Sequence, residues 1–133
     1  YQDGASHLFP DAWEPYLHHI PEAERGDLLH AYHRRLTSPD VHVRTEAAKA
    51  WSLWEGRTSY LLPNEAYISK TGEDEFATAF ARIECHYFVH GGWFEQDGQL
   101  LAQAGRLAGI PGHIVQGRYD VVCPAKSAFE LHR

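Results

Sequence analysis

IPGHIVQGRYDVVCP, residues 110–124, is where the chain changes character. Ile114 and Val115 form a short apolar run that stops at Gln116 and Gly117. Arg118, Tyr119 and Asp120 then follow in one tight turn, ahead of Val121, Val122, Cys123 and Pro124. The pattern predicts a β-strand centred on His113, Ile114 and Val115. Such a strand would deliver the Asp120 carboxylate to its end, which is where open α/β sheets keep their chemistry. Asp120 therefore has two readings. It is a catalytic carboxylate that orients a histidine held elsewhere, or it is the ordinary turn aspartate that bonds its own backbone. Cys123, three residues on, is expected to be a buried structural thiol.

Upstream of this stretch the patterning is helical. Pro21 ends a first helix of about Asp11 to His19. Leu28, Leu29, Tyr32 and Leu36 repeat at helical spacing in a second. Ser38-Pro39 reads as an N-cap with proline in the first turn of a third helix, which carries Val43, Ala47, Ala50, Trp51 and Trp54 on one stripe and ends at Gly56. Residues 59–72 show no clear period. Thr71 or Gly72 then precedes the acidic turn Glu73-Asp74-Glu75, which suits the positive end of a helix dipole. That fourth helix bears Phe76, Phe80, Ile83 and Tyr87 and stops at Gly91-Gly92. A short helix of about Asp97 to Ala104 follows, and a last one starts at Pro124 and reaches Arg133. The expected fold is mainly α, with one strand near the end. A single strand cannot make a sheet, and its bare edges invite pairing with another chain. The chain is thus expected to be a piece of a larger protein that self-associates through this strand.

Composition narrows the function. At 44% hydrophobic and 13% aromatic over 133 residues, the chain has enough apolar surface for one domain core. The formal charge of −6 argues against nucleic-acid binding, which normally needs a basic face, and favours a cationic ligand. Protonating all ten histidines takes that charge from −6 to +4, so surface charge depends strongly on acidity below neutrality. Two cysteines are too few for a disulfide framework. No apolar run approaches the length of about 18 residues that a membrane span requires, and no signal peptide is recognisable. A soluble cytoplasmic protein is expected.

Three groups of residues could carry chemistry. Glu55 falls about 40° from Trp51 around its helix, beside the apolar stripe, and Glu84 lies similarly beside Phe80 and Tyr87. Each sits in the C-terminal half of its helix, where the dipole disfavours an anion. Such a pair calls for a cation. Arg57 and Arg82 would supply it in a structural salt bridge, and a bound ammonium group would supply it in a binding site. The histidine pairs His86/His90 and His30/His33 have metal-compatible spacing, but neither brings the further ligands a zinc site needs. None of the serines at 6, 38, 52, 59, 69 and 127 lies in a G-x-S-x-G elbow, and no glycine-rich phosphate loop occurs.

Taken in order, LFPDAWEPYLHHIP (8–21), AAKAWSLWEG (47–56), FATAFARIECHYFVHGGW (76–93) and IPGHIVQGRYDVVCP resemble the proline iminopeptidases, or prolyl aminopeptidases, of the α/β-hydrolase fold. The resemblance implies that residues 1–109 are a helical cap domain inserted after the sixth strand, and that 110–133 are a partial core segment with Gly112–Gln116 as a core strand. It implies that Asp120 is the acid of a Ser-His-Asp triad. It also implies that Glu55 and Glu84 hold the free α-amino group of a peptide whose first residue is proline. It implies further that no metal or organic cofactor is required. Cys85 stands where the family usually has asparagine. The family's oxyanion segment, nucleophile elbow and histidine segment have no match in this chain, so the chain by itself is expected to be inactive. Two other readings remain: a stand-alone helical binding domain with salt-bridged acids, and the cap of another hydrolase acting on epoxides or esters.

Overall fold

The computed structural model describes residues 4–133, which hold eight α-helices, three 3-10 turns and no strand. Proline in the first turn opens α2 (Pro10–His18), just after the single turn α1 (Ala5–Leu8). The 3-10 segment Glu22–Asp27 leads into α3 (Leu28–Leu36), where the Asp27 side chain accepts the His30 N–H. Glu24 in that segment bonds both Arg34 and Arg35, at 2.6 Å and 2.9 Å, which fixes the entry to α3.

The long α4 (Val41–Thr58) is the centre of the molecule and packs against α2, α3, α5 (Glu65–Thr71) and α6 (Asp74–Val89). Trp51 and Trp54 of α4, Tyr16 of α2, and Tyr32 and Leu36 of α3 are buried together. Tyr16 and Tyr32 stack at 4.5 Å, and Trp51 meets Tyr32 edge-on at 5.4 Å. Edge-to-face and offset contacts suit the charge distribution of aromatic rings. Lys49 bridges to Asp74 at 2.7 Å and ties α4 to the first turn of α6.

Several expectations change on folding. The N-cap of α4 is Asp40, not Ser38: its carboxylate accepts from His42 and Val43, while Ser38 only receives the Asp40 N–H. Gly56 does not end α4, which continues to Thr58. Its missing side chain lets α5 approach, since a Cβ there would lie 2.5 Å from Thr71 Oγ1. The helix α5 falls where no period was legible; Asn64 caps it by accepting from Tyr67. The buried seam of α6 is Ala77, Ala81 and Cys85, whereas Ile83 and Tyr87 are exposed. Small residues at i, i+4 and i+8 let α6 lie close to α3 and α4. Glu73, rather than Thr71 or Gly72, precedes α6, with Asp74 and Glu75 in its first turn. Gly91 and Gly92 terminate it in left-handed conformations at φ 57° and 60°.

The distal part is open. The expected helix near Asp97–Ala104 resolves into α7 (Gln99–Ala102) and a 3-10 turn at Ala104–Leu107. Residues 111–117 have no regular secondary structure, and Val115 is 97% exposed. A strand exists only through a ladder partner, and no other strand is formed among the described residues. Val121 packs back onto the helical core, and α8 (Ala125–His132) follows Pro124. No helix among the described residues is long and apolar enough to cross a membrane.

Candidate functional site

Glu55 and Glu84 are brought into one neighbourhood by the packing of α4 on α6. Glu55 is buried, one turn beyond Trp51 and therefore on the same face of α4. Glu84 is half-buried on α6, and the Trp51 indole N–H donates to its Oε2 at 2.6 Å. Both carboxylates act on the same two phenols. Burial raises the Tyr16 hydroxyl above its ordinary value, with Cys85, Glu55 and Glu84 adding to it. Tyr67 on α5 is raised in the same sense by burial, then by Tyr60, Glu55 and Glu84. Tyr60 and Tyr67 meet edge-on at 5.3 Å beside this acidic pair.

Burial raises the Glu84 carboxyl above the ordinary range, and the bond from Trp51 pulls it back down. A neutral donor thus occupies the place that the salt-bridge reading gives to a cation. Arg57 and Arg82 are both exposed and make no ion pair among the described residues. The aromatic surroundings (Tyr16, Trp51, Phe88, Tyr67) with two acids favour a compact cation that brings several N–H donors. Both acids stand out in the sequence, whereas Trp51 reads there only as a core residue of its helix stripe. The i, i+4 spacing of Trp51 and Glu55 was the available signal.

Asp120 stands apart from this pair. Gly117 to Asp120 forms the expected tight turn, and Asp120 Oδ1 accepts the N–H groups of Val122 at 3.1 Å and Cys123 at 2.8 Å. Among the described residues its Oδ2 accepts from the Gln116 side chain alone, at 3.2 Å. The backbone therefore fixes one oxygen, and the other takes a side-chain bond on an exposed turn. Leu8, Phe9, Thr58, Tyr60, Asp120 and Val121 border a cleft of about 790 Å³ between this turn and the end of α4. Cys123 is exposed, contrary to expectation, because the turn places it outside the helical core.

The histidines form a surface cluster. His86 and His90 have ring centroids 4.5 Å apart, and His90 stacks on Trp93 at 5.1 Å. The Nδ1 of His90 bonds the His86 carbonyl at 2.8 Å, so that nitrogen donates and is committed. Among the described residues no three His, Cys, Asp or Glu side chains are grouped to hold a metal.

No protein-family model matches the chain. Curated proteins do. A probable proline iminopeptidase of Leptolyngbya boryana is 62% identical over 133 residues, which is all of this chain and 41% of that protein. The proline iminopeptidase of Xanthomonas citri is 61% identical over 133 residues, 42% of its length. That of Arabidopsis thaliana is 49% identical over 134 residues, 35% of its length. The chain thus spans about two-fifths of the length of the curated relatives it matches.

Proposed function

We propose that this chain, homologous over its whole length to one segment of the proline iminopeptidases, is the amine-recognising part of a prolyl aminopeptidase. Residues 1–109 act as the helical cap, and 110–133 supply a core strand at Gly112–Gln116, the Asp120 turn and the start of a helix. The strand is completed by pairing with hydrolase segments outside this chain. The observation that carries the reading is Glu84, a half-buried carboxylate in an aromatic setting whose bond comes from a neutral indole. Its charge is oriented without being cancelled, and Glu55 bears on the same tyrosines.

In this reading the two acids hold the ammonium of an N-terminal proline. A blocked amine would bring Glu84 no countercharge, so only free N-termini are accepted. Asp120 uses the oxygen that its backbone bonds leave aside to hold the N–H of a histidine and fix its tautomer. That histidine takes the proton of a serine, which attacks the carbonyl after proline. Serine and histidine both come from outside this chain, and the chain alone hydrolyses nothing.

The test is made on the full-length enzyme. Glu55→Gln and Glu84→Gln should each lower kcat/KM on a proline amide by about ten- to a hundredfold, the worth of one charge-assisted hydrogen bond. The double variant should lose less than the product of the two, because both acids hold one cation. Thermal stability should move little or rise for Glu84→Gln. A carboxyl raised in the folded state stabilises below its unfolded value and loses that contribution as pH rises through the folded one, so its ionised form is a burden at neutrality. Early melting with intact turnover would overturn the amine site in favour of structural acids. Esterase or epoxide-hydrolase turnover indifferent to both variants would favour the other capped hydrolases.

A further inference from the structure

We propose that Trp51 is a positioning residue for amine recognition, holding Glu84 Oε2 so that Oε1 is presented to the substrate's ammonium. This rests on the amine-site reading of Glu84. The indole is 1% exposed and is gripped on three sides, by Tyr32 at 5.4 Å, Tyr16 at 6.0 Å and Phe88 at 6.0 Å. A ring so enclosed keeps one rotamer, and its N–H meets Glu84 at 2.6 Å. The helix α4 therefore presents one acid of its own, Glu55, and the donor that aims the other.

The choice of an indole has a chemical reason. Its nitrogen is a donor with no lone pair to offer. It can bond a carboxylate but cannot compete for the N–H groups of an ammonium, and it has no charge with which to neutralise the site. Arginine at this place would satisfy Glu84 and exclude the substrate. A phenol could turn and accept from the amine itself. The same bond opposes the effect of burial on Glu84, which helps to keep that carboxyl ionised when substrate arrives.

The experiment is a double-variant cycle on the full-length enzyme with a proline amide as substrate: Trp51→Phe, Glu84→Gln and both together. Trp51→Phe should lower kcat/KM by about tenfold, the typical worth of a bond to a charged group, mainly through KM. The acidic limb of its pH profile should shift upward. In the Glu84→Gln background the Trp51→Phe loss should shrink to about twofold or less. An equal loss in both backgrounds, or no loss in either, overturns the proposal and leaves the amine site standing. If Glu84→Gln alone leaves turnover unchanged, the amine-site reading falls instead, and this proposal with it. Should Trp51→Phe fail to fold, the indole N–H proton resonance of Trp51 decides. It is expected to shift as Glu84 titrates and to move in Glu84→Gln. A resonance indifferent to both overturns the proposal.

Discussion

Gly56 lies inside α4, where glycine ordinarily costs roughly 0.5–1 kcal/mol relative to alanine. Here alanine is expected to be worse. The Cβ it would add stands 2.5 Å from Thr71 Oγ1 and 3.1 Å from Cγ2. Thr71 is fully buried and its hydroxyl donates to the Ile68 carbonyl at 2.8 Å, so this short branched side chain has no room to turn aside. Gly56→Ala should destabilise by about 1–3 kcal/mol, read from the urea midpoint. Thr71→Ala removes the two nearest of these atoms and leaves only the Thr71 Cβ at 3.2 Å, so the double variant should be more stable than the sum of the single losses implies. A raised midpoint for Gly56→Ala alone would show that α4 and α5 are not held at this distance.

Among the elements, α4 shows what the sequence could tell and what it could not. Its stripe of Ala47, Trp51 and Trp54 is a local pattern and reads directly as a buried face. Its ends are harder. Ser38-Pro39 and Asp40 are all acceptable starting signals, and geometry selects Asp40, whose Oδ1 reaches two backbone N–H groups at 2.8 Å and 3.3 Å. Asp40→Ala should therefore cost about 1 kcal/mol in thermal or chemical unfolding, and Ser38→Ala distinctly less. The reverse order would restore the serine as cap. Gly56 reads as a stop because its true reason, the nearness of Thr71, joins residues fifteen positions apart. For α6, large apolar residues mark one stripe and small ones another, and hydropathy favours the large. Close helix packing selects Ala77, Ala81 and Cys85 instead. Seven residues of α5 are too few to show a period. Of the site, both acids were legible from their odd places on helix margins. The Trp51–Glu84 bond was not, since it joins two helices across thirty-three positions.

For the molecule as a whole, acidity is the lever. His19 and His33 both titrate below the ordinary histidine value. Burial is the main cause in each, joined by Arg35 for His19 and by His30, His90 and His86 for His33. The folded state then binds their protons more weakly than the unfolded state does. Their contribution is complete above the unfolded value of 6.5 and is lost as pH falls through it toward the folded values. Glu24 behaves differently. The Arg35 and Arg34 guanidiniums hold it at about 2, so its contribution persists until pH drops below its ordinary 4.5. The thermal midpoint should decline in two stages, one beginning near pH 6.5 and one below about pH 4.5. His33→Gln should flatten the first stage alone. A midpoint constant between about pH 7 and 5.5 would mean that these histidines are as free in the fold as out of it.

The seam of α6 has one more consequence. Cys85 lies in it, fully buried, with its Sγ 3.9 Å from the Leu29 carbonyl of α3 and its thiol pushed up to about 12 by burial and then by Glu84. Cys123 sits in the open turn. Only a thiolate reacts with disulfide reagents, so the two sulfurs are an immediate label and a delayed one on the same chain. The delay measures how often α3 and α6 part. Because Cys85 follows Glu84 directly, anything that clamps the acid should also slow the clock beside it.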